Sequence, residues 1–556
     1  MSRHLDAERP RHSAPSPRHD RGVRDRRRRH CLDLASMNNR LRPTTRKPLI
    51  SNSWVSAMLA GHSALGLALS AAIYLICLTG SVVVFVQELQ LWEQPAAPRV
   101  VAVTPGAIDR GIAMLREKAP KEAAPSISVT LPSPSNPHLL LSARGRESAG
   151  GGSWYADVSG HPAMKVRHDV SDFLVGLHVN LHLPFGIGTV IVALAGMALL
   201  ALVISGVLAH PRIIKDAFRL RSGGSERLGQ ADLHNRIGVW GLPFHFLIAF
   251  TAAFLGVFII VFGSVAATTY KGDMAKAFTD LAGPSARSAA HAPHNDQVPS
   301  VAPFIAAATA AAPGLTLQSV DIQQPGAKSQ LIGIGLRDPR SLVLSERVVF
   351  DSQGRKVFAS DVAKRSLGQQ MIFAIQPLHF GWFGGIFVKL AYGVLGLSMC
   401  VVTASGFRIW LARRRDKGRP APVMERLWTA TIWGQPLALA LAAVPSLATD
   451  AKAAPLLGWA AGTIAAYAVA CLPSPQARLG VGLRAATAVA LAGLALVHAT
   501  ISAAGGLPAV DPMSWSVDAA LLLTAFFVAR PMLKLRRSPR AVAMADRDQT
   551  PVALPD

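Results

Sequence analysis

His62–Gly80 reads HSALGLALSAAIYLICLTG, and His234–Ala252 reads HNRIGVWGLPFHFLIAFTA. Each stretch sets a histidine near the start of a long apolar run and a threonine 17 residues later, at Thr79 and Thr251. A second pair of stretches repeats further on. LHVNLHLPFGIG (177–188) opens an apolar run that ends in Ile204-Ser205-Gly206, and PLHFGWFGG (377–385) opens one that ends in Ala404-Ser405-Gly406. Recurrence in the same order marks an internal duplication. The first 412 residues therefore read as two units, 50–210 and 234–412, each built as helix, external segment, helix.

Working outward, apolar runs long enough to cross a hydrocarbon core of about 30 Å, which takes roughly 20 residues, recur along the whole chain. They are read at 57–87, 187–210, 236–268, 384–411, 429–447, 456–472, 481–503 and 516–533, with Pro436, Pro445 and Pro455 interrupting or bordering the fifth and sixth. Half of the 556 residues are hydrophobic and 16% are charged. That balance belongs to a polytopic membrane protein and excludes an ordinary soluble enzyme.

The formal charge of +24 resembles a nucleic-acid signal, but its distribution points to a lipid bilayer and to no nucleic acid. Residues 1–47 hold 14 Lys/Arg against 5 Asp/Glu, and further basic clusters lie in the short segments 211–233 and 413–427 and after Arg530. Basic short loops alternating with near-neutral segments follow the positive-inside pattern. This predicts a multi-pass protein with both termini, tails 1–49 and 535–556, in the cytoplasm. The Arg-rich start is read either as a tail or as an upstream start that is not used, with Met37 as the real beginning. It is not a cleavable signal peptide, because the first apolar run begins beyond residue 50 and is too long.

The external segments 88–172 and 269–378 resemble each other. Each begins with a helical stretch, continues with alternating strand-like runs and closes on a turn, WYADVSGHPAM (154–164) and VVFDSQGRKVF (348–358), where Asp precedes Gly by three residues. Two small α+β domains are expected, the second with a flexible Pro/Ser/Ala/His-rich stretch near 283–303. Beyond residue 428 the repeat stops. The four helices of 428–534 read as a scaffold or an independent module. Cys77, Cys400 and Cys471 lie in apolar runs and Cys31 in the tail, so no disulfide is expected outside. No C-x-x-C-H motif is present, hence no covalently attached c-type haem is expected.

On this topology His62 and His234 stand near the cytoplasmic starts of their helices, while His178, His182 and His379 stand near the external starts of theirs. Ionisable groups in membrane segments are expensive and usually face a bundle interior or a functional site. A haem b iron takes two neutral imidazoles on opposite sides of its ring, and helices from repeated units can each supply one. The plainer account is that such rings rest at the lipid headgroups, but four at repeat-equivalent positions favour cofactor ligation. His178 and His182, four residues apart, would share one helix face, too close to clamp one haem between them. His178 is the better ligand because Leu177-His178 parallels Leu378-His379. A two-histidine zinc or copper site is the competing reading, with no Cys, Asp or Glu nearby to complete it. His245, about three turns beyond His234 on nearly the same face, is a further alternate. His210 and His498 are assigned structural roles.

Together, HSALG…LTG, LHVNLH, ADLHNRIGVWGLP and PLHFGWFGG…ASGFRIW, with small external domains between them, resemble the PepSY-associated transmembrane helix proteins over about residues 50–415. That group includes iron-regulated inner-membrane proteins and ferric-siderophore reductases. The resemblance implies PepSY-like periplasmic domains and a di-haem b core in a bacterial inner membrane, carrying electrons to a ferric siderophore or other ferric chelate. Carried onto this sequence, His62 and His234 are ligands of the inner haem, and His178 and His379 of the outer one.

Such a reductase needs no nucleophile or general base, and no G-x-S-x-G, H-E-x-x-H or Walker motif is present. The cytoplasmic loops are too short for a nicotinamide or flavin domain, so the donor is a separate protein or a quinol. Trp154, Tyr155, Trp382 and Phe383 are candidates for a ligand or electron-exit surface, or else interface anchors. The alternative is a non-enzymatic membrane protein whose external domains bind a peptide, metal or protein partner, or a transporter accessory subunit.

Overall fold

A computed structural model of the protein describes residues 51–118, 126–144, 151–209, 225–282, 298–338, 342, 346–360, 366–449, 451–473, 475–504 and 512–536. The tail 1–49 with Met37, His210, most of the segment 211–233, the stretch 283–297 and the end of the chain from 537 lie outside the described residues. The chain divides into Met1–Ser56 and Ala57–Asp556. In the first, only residues 51–56 are described, helical from Asn52.

The first repeat runs α1 (Asn52–Val83), α2 (Val86–Glu93), α3 (Pro105–Lys118), β1 (Ser126–Thr130), β2 (Leu139–Arg144), β3 (Gly152–Ala156), β4 (Pro162–Lys165), α4 (Asp169–Asn180) and α5 (Phe185–Leu208). The second runs α6 (Glu226–Trp240), α7 (Leu242–Thr269), α8 (Met274–Ala282), α9 (Ala302–Ala311), β5 (Thr316–Gln323), β6 (Leu331–Arg337), β7 (Glu346–Asp351), β8 (Lys356–Ala359), α10 (Leu367–Phe380) and α11 (Gly385–Asp416). Four helices follow: α12 (Pro422–Ala448), α13 (Ala454–Cys471), α14 (Gln476–Ala504) and α15 (Pro512–Arg536). Eight of the described helices are long and apolar enough to cross a membrane, namely α1, α5, α7 and α11 to α15. Pro436 and Pro445 sit inside α12 without ending it. The protein is a multi-pass α-helical membrane protein.

Where the sequence suggests two separate external domains, the strands join into one sheet in the order β4-β3-β2-β1-β5-β6-β7-β8. The joint is antiparallel, with Ile127 opposite Ile322 and Val129 opposite Val320. Taken alone, each repeat would leave a β-branched strand unpaired at the edge of a four-stranded sheet. Pairing β1 with β5 removes both edges and merges the two apolar faces. That merged face carries Ile127, Val129, Leu141, Val320, Ile334 and Leu336 and is covered by Ile108, Ile112 and Leu115 of α3 and Phe304 and Ala308 of α9.

The hairpin signals hold. Asp157 accepts the backbone N–H of Ser159 at 2.9 Å, and Asp351 accepts those of Gln353 and Arg355, both at 2.9 Å. Gly160 and Gly354 adopt φ of 90° and 79°. At Gly160 any Cβ would run into the carbonyl of Ala107 on α3. Gly160→Ala is therefore expected to destabilise the sheet layer by about 2–3 kcal/mol, seen as a lower melting temperature of the purified protein.

The last four helices are not independent of the repeats. Tyr74 and Leu78 of α1 and Cys400, Phe407 and Leu411 of α11 pack with Trp428 and Ile432 of α12, and the Tyr74 hydroxyl donates to the Ile432 carbonyl at 2.8 Å. At the sheet-side end of the bundle, Trp92 of α2, His498 of α14 and Asp518 of α15 form a buried network. The Trp92 indole N–H donates to Asp518 Oδ1 (2.9 Å), Asp518 Oδ2 meets His498 Nδ1 (2.8 Å), and His498 Nε2 meets the Trp92 carbonyl (2.9 Å). The structural role expected of His498 is thus to tie α14 and α15 to the first repeat. A second buried pair, Lys389 Nζ to Glu88 Oε1 at 2.6 Å, joins α11 to α2.

Candidate functional site: two facing histidine pairs

The duplication brings its histidines together in twos. His178, near the end of α4, faces His379, near the end of α10, with ring centres 6.3 Å apart and planes 25° from parallel. His62 of α1 faces His234 of α6, with centres 6.2 Å apart and planes at 89°. Metal–imidazole bonds are about 2 Å long, and a ring nitrogen lies about 1 Å from the ring centre. Two imidazoles on opposite sides of one ion therefore have centres about 6 Å apart. Both pairs have that spacing. His62 and Thr79, which stands beside His178, are 17 residues apart on one helix, so the two levels are separated by about 25 Å along α1.

Each of the four rings is oriented through Nδ1. His178 Nδ1 lies 3.0 Å from the Ile76 carbonyl and 3.5 Å from Thr79 Oγ1, and His379 Nδ1 lies 2.9 Å from Thr251 Oγ1. At the other level His234 Nδ1 lies 2.9 Å from the Val402 carbonyl and 3.3 Å from Ser405 Oγ, and His62 Nδ1 lies 3.1 Å from Ser205 Oγ. The carbonyls can only accept. The hydroxyls already donate to carbonyls of their own helices, Thr79 to Leu75, Thr251 to Leu247, Ser205 to Leu202 and Ser405 to Val401. Toward histidine they therefore accept, which puts the ring proton on Nδ1 and the lone pair on Nε2. Among the described residues, Nε2 of none of the four has a hydrogen-bond partner. This is how metal-ligating histidines are usually held by the surrounding shell.

Glycines make the space. A Cβ at Gly206 would stand 3.2 Å from His62 Cε1, one at Gly406 3.2 Å from His234 Cε1, and one at Gly80 2.7 Å from His178 Cε1. The motifs that mark the repeat thus have physical roles: in Ser205-Gly206 and Ser405-Gly406 the serine orients the ring and the glycine makes room for it. Those roles are invisible without the facing helix, although the recurrence of Ser-Gly and of Thr79/Thr251 is visible in the sequence.

A cavity of about 290 Å3 opens beside His178 and His379, walled mostly by apolar side chains of α1, α5, α7 and α11. Thr189 faces it, and its hydroxyl is buried with no hydrogen-bond partner. No group of three or more His, Cys, Asp or Glu suited to a metal ion is found among the described residues.

The alternates sit differently. The helix carrying His178 ends at Asn180, and Leu181 and His182 both take positive φ, 55° and 53°. His182 therefore does not share the face of His178. Its Nε2 meets the Phe173 carbonyl at 2.8 Å and its ring stacks on Phe173. His245 lies beyond a break at Gly241 that separates α6 from α7, so it does not continue the helix of His234. Its Nε2 meets Ser398 Oγ at 2.8 Å. In both, Nε2, the nitrogen left unengaged in the four paired rings, is occupied.

The aromatic candidates separate as well. Trp382 stacks on Phe380 (4.6 Å), and Phe383 packs edge-on against Tyr392, whose hydroxyl donates to the Leu378 carbonyl beside His379. Trp154 packs against the sheet core. Tyr155 is only 2% exposed, with its hydroxyl 2.7 Å from His168 Nε2, which removes it from any exit surface.

The start of α4 is also held from α2. Glu93 accepts the backbone N–H groups of Val170 (2.8 Å) and Ser171 (2.9 Å) and the Ser171 hydroxyl. Burial pushes its carboxyl up to about 7, against the pull of these donors. The folded value lies above the unfolded one, so the contribution of Glu93 to stability is complete at acid pH and is lost as pH rises through about 7. Glu93→Gln is expected to flatten the dependence of melting temperature on pH between 4.5 and about 7.

The model of the PepSY-associated TM region matches residues 59–413, more than half of the chain. The chain belongs to the PepSY-associated transmembrane family. The match covers both repeats and all four paired histidines and ends before α12. A Pseudomonas aeruginosa protein described as uncharacterized is 31% identical over 252 residues, which is 44% of this chain. The chain spans 64% of the length of that relative.

Proposed function

We propose that this PepSY-associated protein is an oxidoreductase of a bacterial inner membrane that holds one haem b at each histidine pair and reduces a ferric chelate, such as a ferric siderophore, on the sheet side. The observation that carries the reading is the pairing itself, with two facing imidazoles whose ring centres lie 6.2 or 6.3 Å apart and Nε2 left for a metal at both levels. With only two ligands at each level, a bound iron has to bring its own equatorial ligands, as a haem iron does. The apolar cavity and the partnerless Thr189 hydroxyl suit a large, mostly apolar occupant with polar edges.

A haem b supplies a centre that accepts and releases one electron, and two of them at these levels serve the two sides of the membrane. The chain's own residues do the rest. His62 with His234, and His178 with His379, would hold the two haems. Ser205, Thr79, Thr251 and the carbonyls of Ile76 and Val402 set the tautomers and ring directions. The apolar walls exclude water and keep the surroundings of low dielectric, one of the levers on redox potential. No side chain need act as nucleophile or base, because reduction of iron weakens the hold of hard oxygen ligands. The donor in this reading is a separate protein or a quinol on the opposite, cytoplasmic side.

The test is a reduced-minus-oxidised spectrum of the purified full-length protein with haem quantified per chain, followed by reoxidation of the reduced protein with a ferric chelate. About two haem b per chain and oxidation by the chelate support the proposal. A colourless protein from haem-sufficient cells overturns it.

A further inference from the structure

The sheet has a second face. Strand alternation sends Ile127, Val129, Val320 and Ile334 toward α3 and α9, and sends their neighbours the other way. On that other side the cross-strand partners Ser153, Ser142, Ser128 and Asp321 form one row, and Thr130, Ser319, Gly335 and Arg347 form part of the next. Ser128, Thr130, Ser142, Ser153, Ser319, Asp321 and Arg347 are all half-buried. Apart from Leu140 and the buried Val349, which lie in the same two rows, hydroxyls and charges take the place of the apolar residues that pack the first face.

At β3 this polar face meets the start of α4. Tyr155 projects from it, in the row of Arg347, to reach His168 at the start of α4, the helix that carries His178 ten residues further on. At Tyr155 the face is thus about 15 Å, measured along α4, from the level of the sheet-side histidine pair.

Arg347 is its unusual member. Its guanidinium lies flat over Gly333, where a Cβ would come within 2.8 Å of Nε and Nη2. Nε is buried with no hydrogen-bond partner, and the guanidinium makes no hydrogen bond or ion pair among the described residues. Asp321, two strands over on β5, is engaged by Ser319 Oγ at 3.2 Å. A half-buried guanidinium without an anion is energetically expensive unless something completes it. Its planar fork suits a carboxylate or similar oxyanion.

We propose that this hydroxyl-lined face is where the ferric chelate docks, and that Arg347 anchors an anionic, oxygen-rich one. This rests on the reductase reading above for its physiological meaning, while binding itself can be measured apart from electron transfer. Serine and threonine hydroxyls match oxygen ligands around iron, and the position between sheet and bundle brings the chelate to the paired histidines.

The experiment is equilibrium binding of ferric citrate, an anionic probe, and of a neutral ferric trihydroxamate to the full-length protein, wild type and variants, with the haem spectrum recorded on each sample. Arg347→Gln is expected to weaken ferric citrate binding at least tenfold and leave the neutral chelate within about threefold, while Arg347→Lys retains most of the citrate binding. Ser128→Leu, which fills the middle of the face, is expected to weaken both probes. Equal binding of ferric citrate by wild type and Arg347→Gln, or no binding of either probe by wild type, overturns the proposal. Failure of the haem reading would appear separately, as a missing spectrum in protein that still binds the chelates.

Discussion

His379→Ala is expected to lower the haem b content of the purified protein from about two per chain to about one. Only the sheet-side pair depends on His379, whose ring centre lies 6.3 Å from that of His178. With one imidazole left at that level, a haem there would lose one of the two residues that would hold it. The His62–His234 pair is made by other helices, about 25 Å away along α1, and should keep its haem and its low-spin bands. His182→Ala and His245→Ala are expected to leave the content at two, because Nε2 of each is committed to Phe173 or Ser398. Thr251→Val keeps both ligands and removes the acceptor for His379 Nδ1. Loss of such an orienting partner typically weakens metal binding 10–100-fold. The checks are haem per chain and the difference spectrum. If His379→Ala keeps two haems while His182→Ala loses one, the pairing is refuted.

Asp518→Ala is expected to destabilise the protein by about 3–5 kcal/mol, the range for removing one partner from a buried charged pair. The carboxyl group sits at 4% exposure between the Trp92 indole and His498. Without it, both are left in a low-dielectric environment without their partner. Trp92→Phe, which keeps the ring stacked on His498 at about its present 4.5 Å and removes only the indole N–H, should cost less, about 1–3 kcal/mol. Thermal unfolding in detergent distinguishes the two. Equal melting temperatures for Asp518→Ala and wild type would mean that α14 and α15 are not fastened to the first repeat through this network.

Much of the site was legible before any tertiary contact was known. The interval from His62 to Thr79 and from His234 to Thr251, and the Ser-Gly ends of α5 and α11, identify four imidazoles at two levels. The rest was not legible for local reasons. A spacing of four between His178 and His182 implies a shared face only if the helix continues, and the left-handed residues at 181 and 182 end it. Nothing in LHVNLHLPFG requires that break, because Leu, which takes the first left-handed position, is a poor residue for positive φ. Tyr155 read as a surface aromatic because alternation tells which residues share a face, not what covers that face.

By itself the sequence determined the eight apolar spans, the duplication, the two external α+β segments with their Asp…Gly turns, and the four repeat-equivalent histidines, since all of these follow from local periodicity, turn chemistry and spacing. Tertiary structure alone decided that β1 pairs with β5 to make one sheet of two segments, that Nδ1 and not Nε2 is engaged in each of the four rings, and that Trp92, His498 and Asp518 fasten the last helices to the first repeat. Each of these is a contact between residues far apart in the chain: 195 separate Ile127 from Ile322, and 426 separate Trp92 from Asp518. No local pattern carries the register or the partner of such contacts. They emerge when buried edges, ring nitrogens and carboxylates find the one arrangement that leaves few of them unsatisfied.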